Sequence, residues 1–518
     1  MVKIFIDDKL VEAEEGMTVF AAAEKEGIPI PHLCYHPAFI SEGSCRMCLV
    51  EIEGMPKLEL ACSTQVREGM KIWTQTERVI ESRKGVLEFL LAEHPLDCPI
   101  CDKAGECKLQ DYYEEYGLFD SQFKEFKEKR EKKVNIGKSL ILDRERCILC
   151  TRCVRFLREM TKTQELGVFN RGAHSEISTY DGVLVDNNYS GNLVQLCPVG
   201  AITDADFRFQ IRSWLLEKGD SICPLCSRGC NISIDYHPGF TRIPRKKRVY
   251  RITARKNLAV NGFWICDLGR YVYSYLDENR LSNFVSNLNG KSKRFNQENA
   301  LQFMAKKIRK MYDSKKASKM TLILNSWLTN EELFLMHRIF KEDLRLERMY
   351  LVDSPQGEKD KMLLTSERNP NRRGAQEIGF DFKPLNLEEL VIKTDLVIIF
   401  GDYLLAQFGL EEIKAAFEKV ETKILFSSRE SELIPLVDLV FPTALIAEKG
   451  GSLTNCEGKV QSFGPALEAW GESRPEWQIL LDLGKELRIN FHYYDQFKSP
   501  VGILESMKEE IPFFQKEK

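Results

Sequence analysis

The stretch Cys147-Ile148-Leu149-Cys150-Thr151-Arg152-Cys153 sets three thiols at intervals of two residues, and a fourth, Cys197, stands immediately before Pro198. Three further sets of four have the same character. They are Cys34, Cys45, Cys48 and Cys62; His94, Cys98, Cys101 and Cys107; and Cys223, Cys226, Cys230 and Cys266. Of the 16 cysteines, only Cys456 is left outside these sets. Thiolates grouped in fours are soft-metal donors, and the pattern points to iron–sulfur clusters and electron carriage.

At 518 residues the chain is long enough for several domains, each with its own core. A hydrophobic content of 43% with 29% charged residues fits a globular protein, and a formal net charge of −3 gives no reason to expect nucleic acid. No apolar run approaches the ~20 residues that span a bilayer. The start, Met1 to Asp7, alternates like a strand and lacks a signal peptide's apolar stretch. The expectation is a cytoplasmic protein whose membrane association comes only through other subunits. Closely spaced cysteine pairs in a large chain without a signal argue for metal rather than disulfides. Zinc, which also uses such pairs, is the rival to be weighed at each site.

A two-cluster ferredoxin carries two C-x2-C-x2-C-x3-C-P runs, each fourth cysteine serving the other cluster. Counted back from Cys197, the second triad falls on Asn187, Ser190 and Leu193, and the fourth position of the first run falls on Leu157. One cluster's four ligands are all missing while the other's four are all present. Cys197 therefore completes the Cys147, Cys150, Cys153 triad for a [4Fe–4S] cluster.

The first set has the spacing C-x10-C-x2-C-x13-C, with Gly43, Ser44 and Gly54 loosening its loops so that backbone N–H groups can approach sulfur. Strands at Lys3–Ile6 and Lys9–Val11 and a helix over about Thr18 to Glu26 precede it. The spacing, with Pro31-His32-Leu33-Cys34-Tyr35-His36-Pro37 and Gly43-Ser44-Cys45-Arg46-Met47-Cys48, resembles the amino-terminal [2Fe–2S] domain shared by the large iron–sulfur subunits of complex I, diaphorase subunits and iron-only hydrogenases. His32 and His36 are read as packing groups rather than ligands. In the second set, a helix from Thr76 to Glu93, with Val79, Ile80, Val86, Leu87, Leu90 and Leu91 as its apolar side, ends at His94-Pro95. Three cysteines cannot complete a cubane's four ligands, so His94 supplies the fourth. Its neutral imidazole should raise the potential. The segment is similar to the same family's [4Fe–4S] site of one histidine and three cysteines.

The fourth set resembles the [4Fe–4S] subdomain that opens molybdopterin oxidoreductases, with strands at Asn231–Tyr236 and Val249–Thr253. The basic run Arg245-Lys246-Lys247-Arg248 reads as a solvated hairpin face. Residues 276–518 alternate buried strands, such as Thr321–Leu324 and Leu396–Gly401, with helices such as Glu412–Val420, which predicts an α/β parallel sheet. Pro442-Thr443 through Glu448, Gly450, Gly451, Asn455, Glu457-Gly458, Gln461 and Trp477 is similar to a recurrent molybdopterin-oxidoreductase segment. That family's catalytic members carry a lysine two residues after the fourth cluster cysteine, where this chain has Leu268. The domain therefore reads as a scaffold without molybdopterin, and Cys456 reads as a buried packing residue.

The expected fold class is a multidomain α+β and α/β chain. It comprises a β-grasp [2Fe–2S] ferredoxin domain (1–78), the histidine-plus-three-cysteine [4Fe–4S] segment (79–120) and a ferredoxin-like [4Fe–4S] domain (121–215). A molybdopterin-oxidoreductase-type [4Fe–4S] subdomain (216–275) and a truncated α/β domain (276–518) complete it. The four motifs in this order resemble the family of large iron–sulfur subunits of complex I, the proton-pumping NADH:quinone oxidoreductase. The resemblance implies one [2Fe–2S] and three [4Fe–4S] clusters, with electrons received from a flavin subunit that oxidises NADH and passed towards quinone. It also implies peripheral-arm partners at the cytoplasmic face of the inner membrane, and no catalytic residue in this chain. The fourth cluster, in its own domain, is expected off the main path. No Gly-rich nucleotide loop follows a strand in the first 275 residues, so NADH should bind elsewhere. The rival readings are the large subunit of an NAD-linked formate dehydrogenase, the iron–sulfur subunit of an NAD-coupled hydrogenase, and a zinc-bound scaffold.

Overall fold

Alternation in β1 (Val2–Ile6) turns Ile4 and Ile6 inward, and β2 (Lys9–Ala13) pairs with it antiparallel, burying Val11 and Ala13 on the same side. Helix α1 (Val19–Lys25) starts where Thr18 Oγ1 accepts from the Ala21 N–H at 3.2 Å, and it lays Val19, Phe20, Ala22 and Ala23 over the sheet. With β3 (Leu49–Ile52), β4 (Glu59–Leu60) and β5 (Lys71–Trp73) the sheet order is β2-β1-β5-β3-β4, the β1–β5 pair being parallel. The computed structural model describes all residues except 118–119, 240–246, 289–291, 382–384 and 516–518.

Helix α2 (Glu77–Glu93) is capped by Thr76 and ends at His94 in extended conformation before Pro95, as the sequence predicts. Its buried line is narrower than predicted. Val79, Arg83 and Leu87, four residues apart, are buried, while Ile80, Val86, Leu90 and Leu91 are only partly covered and Phe89 is 84% exposed. Arg83 occupies the middle of that line because it has partners there: the Leu49 carbonyl at 3.3 Å and the Tyr116 hydroxyl at 3.2 Å. Helix α3 (Lys108–Tyr116) follows.

Strands β6 (Val134–Gly137) and β7 (Leu140–Leu142) form a three-stranded sheet with β10 (Ile202–Asp204), in the order β10-β7-β6. Between them lie α4 (Arg152–Arg155), the hairpin of β8 (Leu166–Phe169) and β9 (Glu176–Thr179), and α5 (Asn192–Leu196). Leu157 and Leu193, at two of the absent ligand positions, are fully buried, so apolar packing occupies those places. All of this belongs to one compact unit, Met1–Leu216.

The second unit, Glu217–Lys518, begins with an antiparallel sheet of β11 (Glu217–Ile222), β12 (Asn231–Tyr236) and β13 (Val249–Ala254), then α6 (Asp267–Tyr271). Its main sheet comprises β14 (Phe284–Ser286), β15 (Lys293–Phe295), β16 (Met320–Leu324), β17 (Met349–Leu351), β18 (Leu396–Phe400), β19 (Thr422–Ser427) and β20 (Leu439–Pro442), in the order β15-β14-β20-β19-β18-β16-β17. β16 to β20 run parallel, as predicted, and β14 and β15 add an antiparallel edge. Both faces are apolar, as a covered parallel sheet requires. Leu322, Ile398, Phe426 and Phe441 pack on one side with α7 (Gln297–Asp313) and α8 (Asn330–Met336). Ile323, Val397, Leu425 and Val440 pack on the other. Phe400, Phe426 and Phe441 stack across three adjacent strands with ring centroids 4.3 and 4.6 Å apart. The predicted helix Glu412–Val420 is found at Leu410–Phe417, starting at Gly409.

Two expectations are corrected here. Arg245 and Lys246 lie outside the described residues, but Arg248 is not on a solvated face. It is 7% exposed, bonded to Asp277 at 2.9 Å and to Glu448 at 2.7 Å, and Arg280 grips the same Glu448 through both oxygens at 2.6 Å. A buried carboxylate held by two guanidiniums draws the arginine inward. Cys456 is exposed rather than buried. It sits in the turn between β21 (Gly451–Thr454) and β22 (Val460–Phe463), where its N–H donates to the Ser227 carbonyl at 2.8 Å while the thiol faces solvent.

Candidate metal centres

The first set is assembled by loops at the edge of the β1–β5 sheet. Cys34, Cys45, Cys48 and Cys62 are all under 9% exposed, and their sulfurs pair off, Cys34 with Cys45 and Cys48 with Cys62. The Cys45 thiol donates to Cys34 and holds it well below the usual thiol range, while Cys48 does the same for Cys62. The two donors, Cys45 and Cys48, are pushed up in return. Two pairs are the donor arrangement that two tetrahedral irons require, and the anionic member of each pair is already stabilised. The Leu33 and Cys45 N–H groups point at Cys45 and Cys34 Sγ at 3.4 and 3.5 Å, and Ser41 Oγ donates to Cys62 Sγ at 2.9 Å. His32 is engaged elsewhere, Nδ1 at 3.0 Å from the Ile30 carbonyl and Nε2 at 3.0 Å from Lys108. His36 stacks on Phe39 and accepts from the Ala38 N–H.

At the second set, His94, Cys98 and Cys107 line one cavity of about 540 Å³ whose walls include Leu87, Leu109 and Tyr113. Cys101 is not in that lining, but it lies close enough to raise the Cys107 thiol, behind the larger effect of burial. His94 Nδ1 is buried without a hydrogen-bond partner. Burial holds the imidazole down to about 4, so it is neutral and free to donate a lone pair. Lys127 fixes this corner by donating to the Leu91, Ala92 and His94 carbonyls at 2.6, 2.9 and 2.9 Å, satisfying the end of α2.

In the third set Cys147 and Cys150 lie on the loop entering α4, Cys153 lies within α4 itself, and Cys197 caps α5. Burial raises Cys147 to about 12 and Cys150 to about 11, and Cys153 further, with the neighbouring thiols of the set adding to it. Neutral thiols of this kind need a cation to become thiolates. In the fourth set Cys223 to Cys230 is the loop joining β11 to β12, closed by the Cys223 N–H on the Cys230 carbonyl at 2.8 Å. Cys266 begins α6, its sulfur accepting from the Gly269 N–H at 3.4 Å, and a Cβ on Gly269 would stand 3.1 Å from Cys223 Sγ. Burial raises Cys266 to about 11 and pushes Cys223 and Cys230 higher still.

Among the described residues, no three His, Cys, Asp or Glu side chains form a group suited to a single metal ion.

Several groups at these sites escape sequence reasoning. Arg46, Leu149 and Thr151, inside the C-x2-C turns, adopt left-handed φ of 60°, 51° and 58°. That conformation is uncommon outside glycine and costs about 1 kcal/mol or more each. It turns successive N–H groups inward, those of Met47, Leu149 and Arg152 reaching Cys45, Cys147 and Cys150. Buried arginines tie the three segments of the first unit together. Arg83 joins α2 to β3, Arg146 clasps Asp97 at 2.7 and 3.0 Å, and Arg152 and Arg155 reach back to the Cys34 loop. In the second unit Gln461 and Asn455, from the recurrent segment, grip the fourth loop through the Gly229 and Arg228 carbonyls at 3.0 and 3.3 Å.

Family comparisons follow the same order along the chain. Residues 1–77 match a 2Fe-2S iron-sulfur cluster binding domain, 83–122 the NADH-ubiquinone oxidoreductase-G iron-sulfur binding region, and 137–203 the ferredoxin-like domain of NADH-quinone oxidoreductase subunit 3. Residues 216–278 match the molybdopterin oxidoreductase Fe4S4 domain and 410–486 molybdopterin oxidoreductase. The chain resembles the G subunit of NADH-quinone oxidoreductase. It is 40% identical to the NADH-ubiquinone oxidoreductase 75 kDa subunit of Reclinomonas americana over 68% of this chain and 49% of that one. It is 39% identical to the NADH-quinone oxidoreductase G subunit of Rickettsia typhi over 65% and 48%. A potato mitochondrial relative, NADH dehydrogenase [ubiquinone] iron-sulfur protein 1, is 42% identical over 54% and 37%. This NADH-quinone oxidoreductase-like chain spans about half the length of the curated relatives it matches. A chain of an NAD+-reducing [NiFe]-hydrogenase in the H2-reduced state aligns over 41% of this chain and 91% of its own at 32% identity. Its TM-score of 0.38 is too low to carry a fold argument. The chain thus carries 2Fe-2S-type and 4Fe-4S-type binding domains. No helix among the described residues is long and apolar enough to cross a membrane.

Proposed function

We propose that this chain is an electron relay of an NADH:quinone oxidoreductase, passing electrons from a flavin subunit towards quinone in partner subunits at the cytoplasmic face of the membrane. The observation that carries the reading is that three of the four donor sets lie in one compact unit, each on its own matched domain. Cys34, Cys45, Cys48 and Cys62 would hold a [2Fe–2S] cluster. His94, Cys98, Cys101 and Cys107, then Cys147, Cys150, Cys153 and Cys197, and finally Cys223, Cys226, Cys230 and Cys266, would each hold a [4Fe–4S] cluster. Bound clusters supply one-electron carriage between substrates that meet elsewhere. The chain's own residues cover most of the donor cysteines, Cys98 being exposed, and aim backbone N–H groups at sulfurs of the first, third and fourth sets. The fourth set, in a separate unit, sits off the main path, so Cys223→Ser leaves NADH-to-quinone flux largely intact in the assembled complex.

The rival with chemistry of its own is a formate dehydrogenase-type large subunit. Leu268, 51% exposed and uncharged, stands where that reading needs a lysine. Elemental analysis of anaerobically purified protein separates the two. About fourteen irons per chain, from one two-iron and three four-iron clusters, with no molybdenum or tungsten, is the expected result. One molybdenum or tungsten per chain overturns it, and zinc in place of iron overturns both.

A further inference from the structure

Arg155 is completely buried and lies two residues beyond Cys153. One of its terminal nitrogens donates both to the Cys34 carbonyl and to the Cys150 carbonyl, the latter at 3.1 Å. The other donates to the Ile40 carbonyl at 3.1 Å, and the guanidinium rests over the Phe39 ring at 5.5 Å. Arg152, 7% exposed, makes a parallel span from the Tyr35 carbonyl to the Leu196 carbonyl at 3.3 Å, one residue after Cys34 and one before Cys197. Two buried cations thus bridge the backbone of the first donor set to that of the third. Glu42 is the carboxylate nearest Arg155 among the described ion pairs, 3.7 Å away and 32% exposed.

We propose that Arg155 is a positioning residue that couples the first and third cluster sites. Its one nitrogen, shared between Cys34 and Cys150, fixes the spacing of the two sites, and its charge raises the reduction potential of both. The inference rests on the relay reading. An electron passing between the sites leaves one cluster oxidised and the other reduced by one, with no proton or bond exchanged. The potentials and the spacing are therefore the quantities the protein can tune. A reduced cluster carries one more negative charge, and a buried cation beside it stabilises that form most where the dielectric is low.

The test is an EPR-monitored redox titration of the full chain, purified anaerobically, with Arg155→Leu and Arg155→Lys. Arg155→Leu is expected to lower both midpoint potentials together, by on the order of tenfold in the reduction equilibrium, about 59 mV. The signal of the Cys223 set should stay unmoved. Arg155→Lys keeps the charge and loses the two-carbonyl bridge, so its potentials stay near wild type while the magnetic coupling between the two reduced centres changes. If Arg155→Leu loads both clusters with unchanged potentials, or with only one shifted, the inference is overturned. If Arg155→Leu does not assemble, Arg155→Lys decides: unaltered coupling overturns the proposal and altered coupling at preserved potentials supports it. Wild-type protein without these two signals would sink the relay reading itself, a distinct failure.

Discussion

Gly200 packs directly onto Cys101: a Cβ built on it would overlap the Cys101 sulfur. The residue that follows the Cys197-Pro198-Val199 run of the third site is thus a wall of the second. Lys103 and Arg146 close in on the same point.

Gly200→Ala should therefore damage a site to which Gly200 contributes no ligand. The expected outcome is loss of the second site's [4Fe–4S] EPR signal and of about four irons per chain, with the first site's signal preserved. Full iron content in the alanine variant would show that the loop yields.

His94 offers a neutral nitrogen with no competing hydrogen bond. His94→Cys replaces it by a thiolate, makes the site more negative and should lower its midpoint potential in a redox titration. His94→Ala should lose the cluster. A retained cluster of unchanged potential in His94→Ala would assign the fourth ligand elsewhere.

Lys449 is 3% exposed and lies between Glu332 and Glu476 at 2.7 and 2.8 Å. Burial opposes its charge, but the two carboxylates outweigh that and hold the ammonium above its usual range. Lys449→Met leaves the two acids facing each other uncompensated, at a cost of about 3–5 kcal/mol. Denaturant unfolding of the second unit measures it, and a loss under about 1 kcal/mol would contradict the network's role.

Glu331 is buried beside this network, accepting from the Ser452 N–H and hydroxyl, both at 2.8 Å, and burial pushes it up to about 7. The unfolded chain ionises near 4.5, so the folded state holds the proton over a wider range. Stability from this group is full below 4.5 and is lost as pH rises through 7, by up to about 3 kcal/mol. Glu331→Gln should flatten that part of the pH profile of thermal unfolding. A slope identical to wild type between pH 4.5 and 7 would refute it.

Local elements are legible wherever periodicity and caps agree. Thr76 and His94-Pro95 bound α2 as expected, and the apolar runs at Leu322 and Ile398 are central parallel strands. The apolar side of α2 is narrower than its pattern suggests because a stripe of aliphatic residues does not say how much of it a neighbour covers. Arg83 looks polar until its partners are known. Arg248 misleads for the same reason: a run of cations resembles a solvated edge unless Glu448 and Asp277, distant in sequence, are placed beside it. Cys456 goes the other way, since a lone cysteine usually packs inside but a hairpin turn leaves its side chain in water.

The sequence by itself singled out the four candidate donor sets, because ligand chemistry is carried by residue type and short spacing, and both are written along the chain. It also determined the order of domains and the alternation of strand and helix that follows from local patterning. Only the tertiary structure decided that Gly200 walls in Cys101, that Arg155 reaches both Cys34 and Cys150, and that Lys449 bridges Glu332 and Glu476. Among these, Arg155 and Cys34 lie 121 positions apart. Such relationships exist because a buried charge or an unpaired carbonyl must find a partner wherever folding brings one.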